Sequence, residues 1–425
     1  MKILYIDHYA GSPFYGMEVR PYHLAQEWLK CGHQVLILAA SFSHVRTKQP
    51  DIDELFTNGA KRFGHAVVEK VDGIDYYWYA TPSYDHNGLG RVKNIWAFLR
   101  QVWADTPNIA RSFQPDAVIA SSTYPMDIWV AHRLVKQVRQ SGIPCCLVFE
   151  LHDLWPLSPV ELGGMSAAHP FILLCQAAEN YAYKHVDAVV SILPKVHKHV
   201  AAHGLDLQKL HLVPNGIVEQ DWLPENQQPL SSNLANFLRI QKERGNLIIG
   251  YAGAHGQPNA LEYLLEAAKL LQNEQVAFVL VGKGLEKGKL QAKVQQEKLG
   301  NVFFFDPVQK TQIPSLLSQF DIAYIGWQHI PIYCFGISPN KLVDYMMAAC
   351  AILHSAEAGN DLVKEARCGL TVAPEDPQAI AKGVMKLYRL PEAERREMGQ
   401  RGKEFVLTHQ TYSTLAKRFL EALQQ

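Results

Sequence analysis

The residues best suited to chemistry lie between 335 and 349: Phe335-Gly336-Ile337-Ser338-Pro339-Asn340-Lys341-Leu342-Val343-Asp344, then Tyr345-Met346-Met347-Ala348-Ala349. Ser338 followed by Pro339 predicts a helix start, with Ser as the cap and Pro at the first helical position, where its missing N–H costs nothing. The free N–H groups of that first turn, with Lys341, make an anion site. Asp344 lies one turn further in. A carboxylate there can accept from two vicinal hydroxyls, as on a ribose. Phosphate at a helix end with an acid nearby reads as a nucleotide. A capped core helix would need neither Lys341 nor Asp344 beside a Gly-containing loop.

A second group ends a buried apolar run, Cys145 to Glu150, and continues as Leu151-His152-Asp153. Function concentrates at the carboxyl ends of strands in parallel sheets. His152 could donate to a substrate hydroxyl or a phosphoryl oxygen, and Asp153 could orient it or meet an acceptor. The alternative is a turn-capping Asp beside a half-buried His. Gly-bearing loops follow other strands. Gly11 to Gly16 precede a helix that opens near Glu18, with Arg20 in its first turn in reach of a phosphate or carboxylate. Gly253-Ala254-His255-Gly256 ends another strand. Gly282-Lys283-Gly284, with Gly288 and Asp306 beyond, looks superficially like a dinucleotide fingerprint. It sits on the second strand of its series, which favours structural glycines. His197, His199 and His203 read as surface residues, because a metal would lack a third ligand. Asp51-Ile52-Asp53 lies in a polar loop and is discounted.

These residues must be held by alternating strands and helices. Expected strands are Ile3–Asp7, Gln34–Ala39, Asp116–Ala120, Cys145–Glu150, Asp187–Ile192, Leu247–Ala252, Ala277–Val281, Asn301–Phe305 and Ile322–Trp327. Most are continuously apolar, as strands covered on both faces must be. Helices are expected at Val19–Lys30, Met126–Gln140, Ala260–Leu271 and Gln312–Gln319, which predicts parallel sheets. The alternation breaks at a polar stretch, 219–245. The predicted fold is α/β: two doubly wound Rossmann-like domains facing across a cleft, 1–218 and 246–390, with 219–245 as linker. Helices at 391–425 pack back on the first domain.

Composition agrees with a folded enzyme of 425 residues, 48% hydrophobic, with 41 basic and 41 acidic side chains. Zero net charge argues against binding nucleic acid through a basic surface. Seven cysteines without C-x-x-C spacing read as reduced thiols of a cytoplasmic protein. The N-terminus does not read as a signal peptide, and no apolar run reaches the roughly 18 residues of a membrane span. Arg91 to Trp103 is basic, aromatic and amphipathic. It suits either a helix packed on its sheet or a segment touching the inner face of a membrane.

Taken in order, Gly16-Met17-Glu18-Val19-Arg20-Pro21, His152-Asp153, Val213-Pro214-Asn215-Gly216, Gly282-Lys283-Gly284, Gly-Ile-Ser-Pro-Asn-Lys with Asp344, and Gly359-Asn360-Asp361 resemble a family 4 retaining glycosyltransferase of the GT-B fold. The subgroup resembled builds bacterial surface polysaccharide, including the N-acetylfucosamine transferases of O-antigen assembly. The resemblance implies a nucleotide-sugar donor, probed by Gly16, Arg20, Gly253, Gly282, Ser338, Asn340 and Lys341. It implies ribose contact by Asp344 and base contact near Pro307 and Val308. It gives His152 the transferred sugar, Glu18 and Asp153 the acceptor side, and no metal or other cofactor. The acceptor implied is a glycan or a lipid-linked saccharide. Two departures stand out. The first acid of the family's E-x7-E motif falls at Gly336, and the Arg and Lys usual after the first strand of the second domain are absent. The rival readings are a non-catalytic nucleotide- or sugar-binding relative and a dinucleotide-dependent oxidoreductase.

Overall fold

The apolar runs become the middle strands of two sheets in the computed structural model, which describes residues 1–16, 19–85 and 88–424. The chain divides into two compact units, Met1–Pro214 with Tyr412–Gln425, and Asn215–Thr411.

Unit 1 holds β1 (Lys2–Ile6), β2 (Gln34–Ala40), β3 (Lys61–Phe63), β4 (Ala66–Val71), β5 (Ile74–Tyr79), β6 (Ala117–Ala120), β7 (Cys146–Leu151), β8 (Ala188–Ser191) and β9 (Leu210–Leu212), ordered β3-β4-β5-β2-β1-β6-β7-β8-β9. All neighbours pair parallel except β3–β4 and β4–β5. The antiparallel corner was not among the expected strands. Its signal is Asp72-Gly73 between Val71 and Ile74, which pair with each other. Both turn residues have positive φ, 47° and 89°, as a two-residue turn matched to strand twist requires.

Unit 2 holds β10 (Leu247–Ala252), β11 (Val276–Val281), β12 (Val302–Phe305), β13 (Ile322–Gly326), β14 (Ala351–Ser355) and β15 (Gly369–Val372), all parallel, ordered β12-β11-β10-β13-β14-β15. Core clusters form on both faces of this sheet, one around Ile248, Val279, Ala323 and Met346, the other around Ile249, Leu265, Phe278 and Tyr324. Each unit is therefore a Rossmann-like α/β layer structure with β1 or β10 central, and the following loops emerge at the carboxyl ends of the strands.

Two expected boundaries change. The segment 219–245 is not a free linker. It contains a helix, Ser232–Glu243, whose Leu234 and Leu238 are buried in the unit 2 core. Its polar residues occupy the outer face, so composition alone resembles a linker. Within 391–425, helix Glu392–His409 belongs to unit 2, and only helix Tyr412–Leu423 joins unit 1. There Phe419 is fully buried, its ring 5.3 Å from that of Trp28 and 6.4 Å from that of Tyr5. The Trp28 indole N–H donates to the Ala416 carbonyl at 3.1 Å.

Phe419→Ala should leave a cavity between helix Arg20–Lys30 and β1 and destabilise unit 1 by about 3–5 kcal/mol. Denaturant unfolding followed by tryptophan fluorescence checks this. An unchanged midpoint would show that the terminal helix does not hold the unit together.

Candidate functional site

At the end of β7, Glu150 is buried to 1% exposure and sits at the centre of a hydrogen-bonded group. Arg20 Nε donates to its Oε1 at 2.9 Å. Tyr5 Oη and Ser121 Oγ donate to its Oε2, the latter at 2.7 Å. His152 Nε2 stands 3.2 Å from the same oxygen and 2.8 Å from Ser121 Oγ. Burial opposes ionisation of Glu150, but the Arg20 and His152 charges overcome it and hold the carboxyl far below the usual range. Burial likewise disfavours the imidazolium of His152, yet the adjacent Glu150 carboxylate and their hydrogen bond raise its pKa on balance. The sign follows: this contribution to stability is full below the ordinary histidine value and is lost as pH rises through the higher folded value. Nδ1 of His152 makes no hydrogen bond to a described residue, so one ring nitrogen is anchored and the other is open.

Two site expectations are corrected here. Arg20 does not point to a ligand. Besides Glu150 it donates from Nη1 to the Pro214 carbonyl at 2.6 Å and from Nη2 to the Val213 carbonyl at 2.7 Å, and it is 4% exposed. It ties β7 to the chain's exit from unit 1. Asp153 does not orient His152. Its Oδ1 accepts from the Leu154 N–H at 3.1 Å and from Ser158 Oγ at 2.6 Å, which closes the turn that follows β7. The orienting acid is Glu150, two residues before His152 and on the same side of the strand. Gly16 has φ of 90°, and a Cβ there would strike the Thr47 hydroxyl. The approach of the Thr47 segment thus already calls for Gly at this position. Glu18 lies outside the described residues.

In unit 2 the loops after β10, β11 and β12 and the first turns of helix Asn340–Met347 enclose a cavity of about 670 Å³. Gly253, Gly282, Val308, Lys341 and Asp344 all line it, with Lys283 and Tyr345. Gly253 leaves room for Lys341: a Cβ would lie 2.8 Å from Lys341 Cε. A Cβ on Gly282 would collide with the Gly253 carbonyl oxygen. The β10 and β11 loops therefore run back to back, and that contact accounts for the G-x-G pattern. Asp306 is no ribose ligand, since it pairs with Lys287 at 2.9 Å.

Lys341 Nζ donates to Tyr251 Oη at 2.8 Å and to Asn259 Oδ1 at 2.7 Å. It also lies 4.5 Å from the Tyr251 ring centroid. No described carboxylate pairs with it. Burial alone pushes its pKa down to about 7. Burial pushes the Asp344 carboxyl up to about 7, with Lys310 opposing and Asp221 assisting, and its side chain has no hydrogen-bond partner among the described residues. Two ionisable groups thus line one cavity, each short of what its charged form needs. The Lys341 penalty is full below about pH 7 and fades towards its ordinary 10.5. That of Asp344 is absent below 3.8 and full above about pH 7.

The helix start differs from expectation. Pro339 is the cap residue, Asn340 opens the helix, and no side chain caps it. Ser338 instead accepts from the Asn215 N–H at 2.9 Å and, through its carbonyl, from Asn215 Nδ2 at 2.7 Å. Ser338 and Asn340 do not line the cavity; Asn340 is exposed. Gly336, at the position of the missing acid, has φ of 95°, where a Glu would be strained. The Asn360 amide grips both backbone groups of Ile337, at 2.7 and 3.0 Å. Tyr251, Asn259, Glu150 and Ser121 were missed from sequence, because none belongs to a recognisable spacing. Of the discounted groups, Asp51 caps helix Ile52–Thr57. His199 and His203 do acquire a third neighbour, Glu179.

Two Rossmann-like units, the second with a cavity lined by Lys341 and Asp344, make a GT-B-type architecture. Comparison with known proteins makes this specific. Residues 15–216 match the profile described as Glycosyl transferase 4-like domain, and 246–389 match Glycosyl transferases group 1. The chain is 31% identical over 292 residues to a putative colanic acid biosynthesis glycosyl transferase, WcaI, of Escherichia coli K12, covering 66% of this chain and 68% of that one. It is 22% identical to a probable glycosyltransferase, WbjE, of Pseudomonas aeruginosa, over 57% and 60% of the two chains. Its fold is similar to sucrose-phosphate synthase of Thermosynechococcus elongatus, with TM-score 0.70, 16% identity and coverage of 100% and 98%. It is also similar to HepE of Anabaena in complex with UDP and glucose, with TM-score 0.65, 16% identity and coverage of 100% and 99%. The chain belongs to the group 1 glycosyltransferases with a glycosyl transferase 4-like N-terminal domain, and it is an enzyme. The oxidoreductase reading falls with that assignment.

Glu150→Gln should lower the pKa of His152, because burial then acts without the carboxylate that offsets it. An NMR titration of the His152 ring checks it. An unmoved midpoint would mean that Glu150 does not set the protonation of His152.

Proposed function

We propose that this enzyme transfers a sugar from a nucleoside diphosphate sugar, UDP-linked, to a glycan or lipid-linked saccharide, with retention, in the synthesis of a bacterial surface polysaccharide. One observation carries the reading: Lys341 is a desolvated ammonium without a carboxylate, lining a nucleotide-sized cavity. A diphosphate supplies the missing counter-charge. Lys283, exposed on the adjoining loop, adds a second cation where the family's usual Arg and Lys are absent. Together they stabilise the leaving diphosphate without a metal ion. Asp344 takes the ribose hydroxyls, and the backbone at Pro307 and Val308 meets the base. The names of the relatives support the polysaccharide context, and the ligand of HepE supports UDP.

On this reading His152 contacts the transferred sugar. Its Glu150-anchored ring offers Nδ1–H as an imidazolium, a donor that strengthens as negative charge grows on the reacting oxygens. A lipid-linked acceptor would bring the enzyme to a membrane surface. Helix Leu89–Ser112 exposes Trp96 and Trp103 over an apolar groove of about 580 Å³, with Lys93 and Arg100 also along it. This suits an anionic lipid surface on the cytoplasmic side. No helix among the described residues is long and apolar enough to cross a membrane.

Lys341→Met should abolish UDP binding by calorimetry while leaving the ligand-free melting temperature unchanged or raised, because the variant removes a buried, unpaired charge. In the same assay Asp344→Ala should weaken UDP binding roughly tenfold, about 1.4 kcal/mol, and EDTA should change nothing. Wild-type affinity in Lys341→Met would sink the donor assignment.

His152→Ala should cut turnover strongly with UDP affinity intact. A variant that melts several degrees lower but keeps its turnover would make His152 a packing residue.

A further inference from the structure

Helix Pro170–His185 and the short helix His197–Ala202 bring three donors together on unit 1, apart from the residues given roles above. Glu179 lies on the buried face of the first helix at 1% exposure. His199 lies in the second, and His203 caps its end four residues on, so the two rings share a face. Their centroids are 4.6 Å apart. One ligand atom from each of Glu179, His199 and His203 falls within 4.8 Å of the other two. His199 Nε2 already touches Glu179 Oε1 at 2.8 Å.

We propose that Glu179, His199 and His203 form a binding site for one divalent transition-metal ion, of which Zn²⁺ is the representative. A tetrahedral ion with bonds of about 2.0–2.1 Å needs donors roughly 3.3 Å apart, and small side-chain shifts bring this trio to that spacing. Two imidazoles and one carboxylate are borderline donors, which select Zn²⁺ or Co²⁺ over Mg²⁺ or Ca²⁺. A water completes the coordination.

Two further observations support the site. Among the described residues no Lys or Arg forms an ion pair with Glu179, although its carboxylate is buried; its neighbour of opposite sign is His199, charged only when protonated. A bound dication supplies a permanent counter-charge. Neutral side chains also hold the ligands, as metal ligands usually are held: Tyr183 Oη donates to Glu179 Oε1 at 2.9 Å. Gln176 Nε2 bridges Glu179 Oε2 at 2.8 Å and His203 Nδ1 at 3.1 Å, and this amide must swing aside for the ion to enter. Asn180 Oδ1 lies 2.9 Å from His203 Nδ1. Because the donors come from two helices separated by β8, the ion clasps the second helix to the first. It takes no part in glycosyl transfer. Metal binding releases whatever proton the histidines carry and forms two N–metal bonds and one O–metal bond, with no redox change.

The test uses the full, untagged chain freed of metal. Titration with Co²⁺ should show one saturable equivalent, with the ligand-field bands of a nitrogen- and oxygen-bound ion and no sulfur charge-transfer band. Zn²⁺ should compete for it and raise the melting temperature of unit 1 by mass action. His203→Ala and Glu179→Gln should each weaken binding at least about tenfold, with UDP binding as the check that the chain is folded. The wild-type titration is decisive whatever the stability of the variants. No saturable equivalent, a sulfur charge-transfer band from one of the exposed thiols Cys31 or Cys334, or undiminished affinity in a folded variant would each overturn the proposal.

Discussion

The ammonium of Lys341 is held away from bulk water without a carboxylate beside it, and the cavity of unit 2 is arranged around that constraint. Tyr251 and Asn259 give it neutral hydrogen bonds, the Tyr251 ring gives it a π-face, and Gly253 gives it room. None of these neutralises the charge, so its pKa falls to about 7. Asp344 in the same cavity is displaced in the opposite sense by the same cause. Separate desolvation of two opposite charges disfavours the empty state; on the function proposed above, a nucleoside diphosphate, anionic at one end and rich in hydroxyls at the other, relieves both.

Unit 1 solves the opposite problem. Glu150 is more deeply buried but saturated, with Arg20, Tyr5, Ser121 and His152 all on its two oxygens. Such a group resists change, since removing one partner would strand a buried charge. That rigidity is useful: it holds one edge of the His152 ring and leaves the other open. The two units thus treat buried charge differently: Lys341 in unit 2 is left without a counter-charge, while Glu150 in unit 1 is compensated on both oxygens.

The departures from the family pattern also have local causes. At Gly336 the backbone has φ of 95° and Asn360 grips the next residue, so the loop that would present an acid is folded in a conformation suited to glycine. The Arg and Lys absent after β10 leave a place where Asn259 and His255 stand. His255 is fully buried with a pKa lowered to about 4 by burial and nearby lysines, and it brings no charge to the cavity. Lys283 on the β11 loop brings a second cation to the same cavity.

The sequence alone determined the architecture, because continuous apolar runs separated by helical periods can be buried only as parallel sheets covered on both faces. It also named five residues of the unit 2 cavity, while Ser338 and Asn340 fell outside it. Gly253, Gly282, Val308, Lys341 and Asp344 follow strand ends or open a helix, and those positions converge in any doubly wound sheet. The antiparallel corner was legible in Asp72-Gly73, but it went unread amid longer apolar runs. Tertiary structure decided what no spacing encodes, namely which partner each polar side chain finds. It turned Arg20 inward to Glu150 and the carbonyls of residues 213 and 214, gave Asp153 to its own turn, and sent the Ser338 hydroxyl to Asn215. It brought Tyr251 and Asn259 to Lys341 across about 90 residues of chain, and Glu179 to two histidines 20 and 24 positions away. Periodicity specifies which face a residue occupies. The direction of a hydrogen bond and the desolvation of a charge are settled only when distant segments pack together.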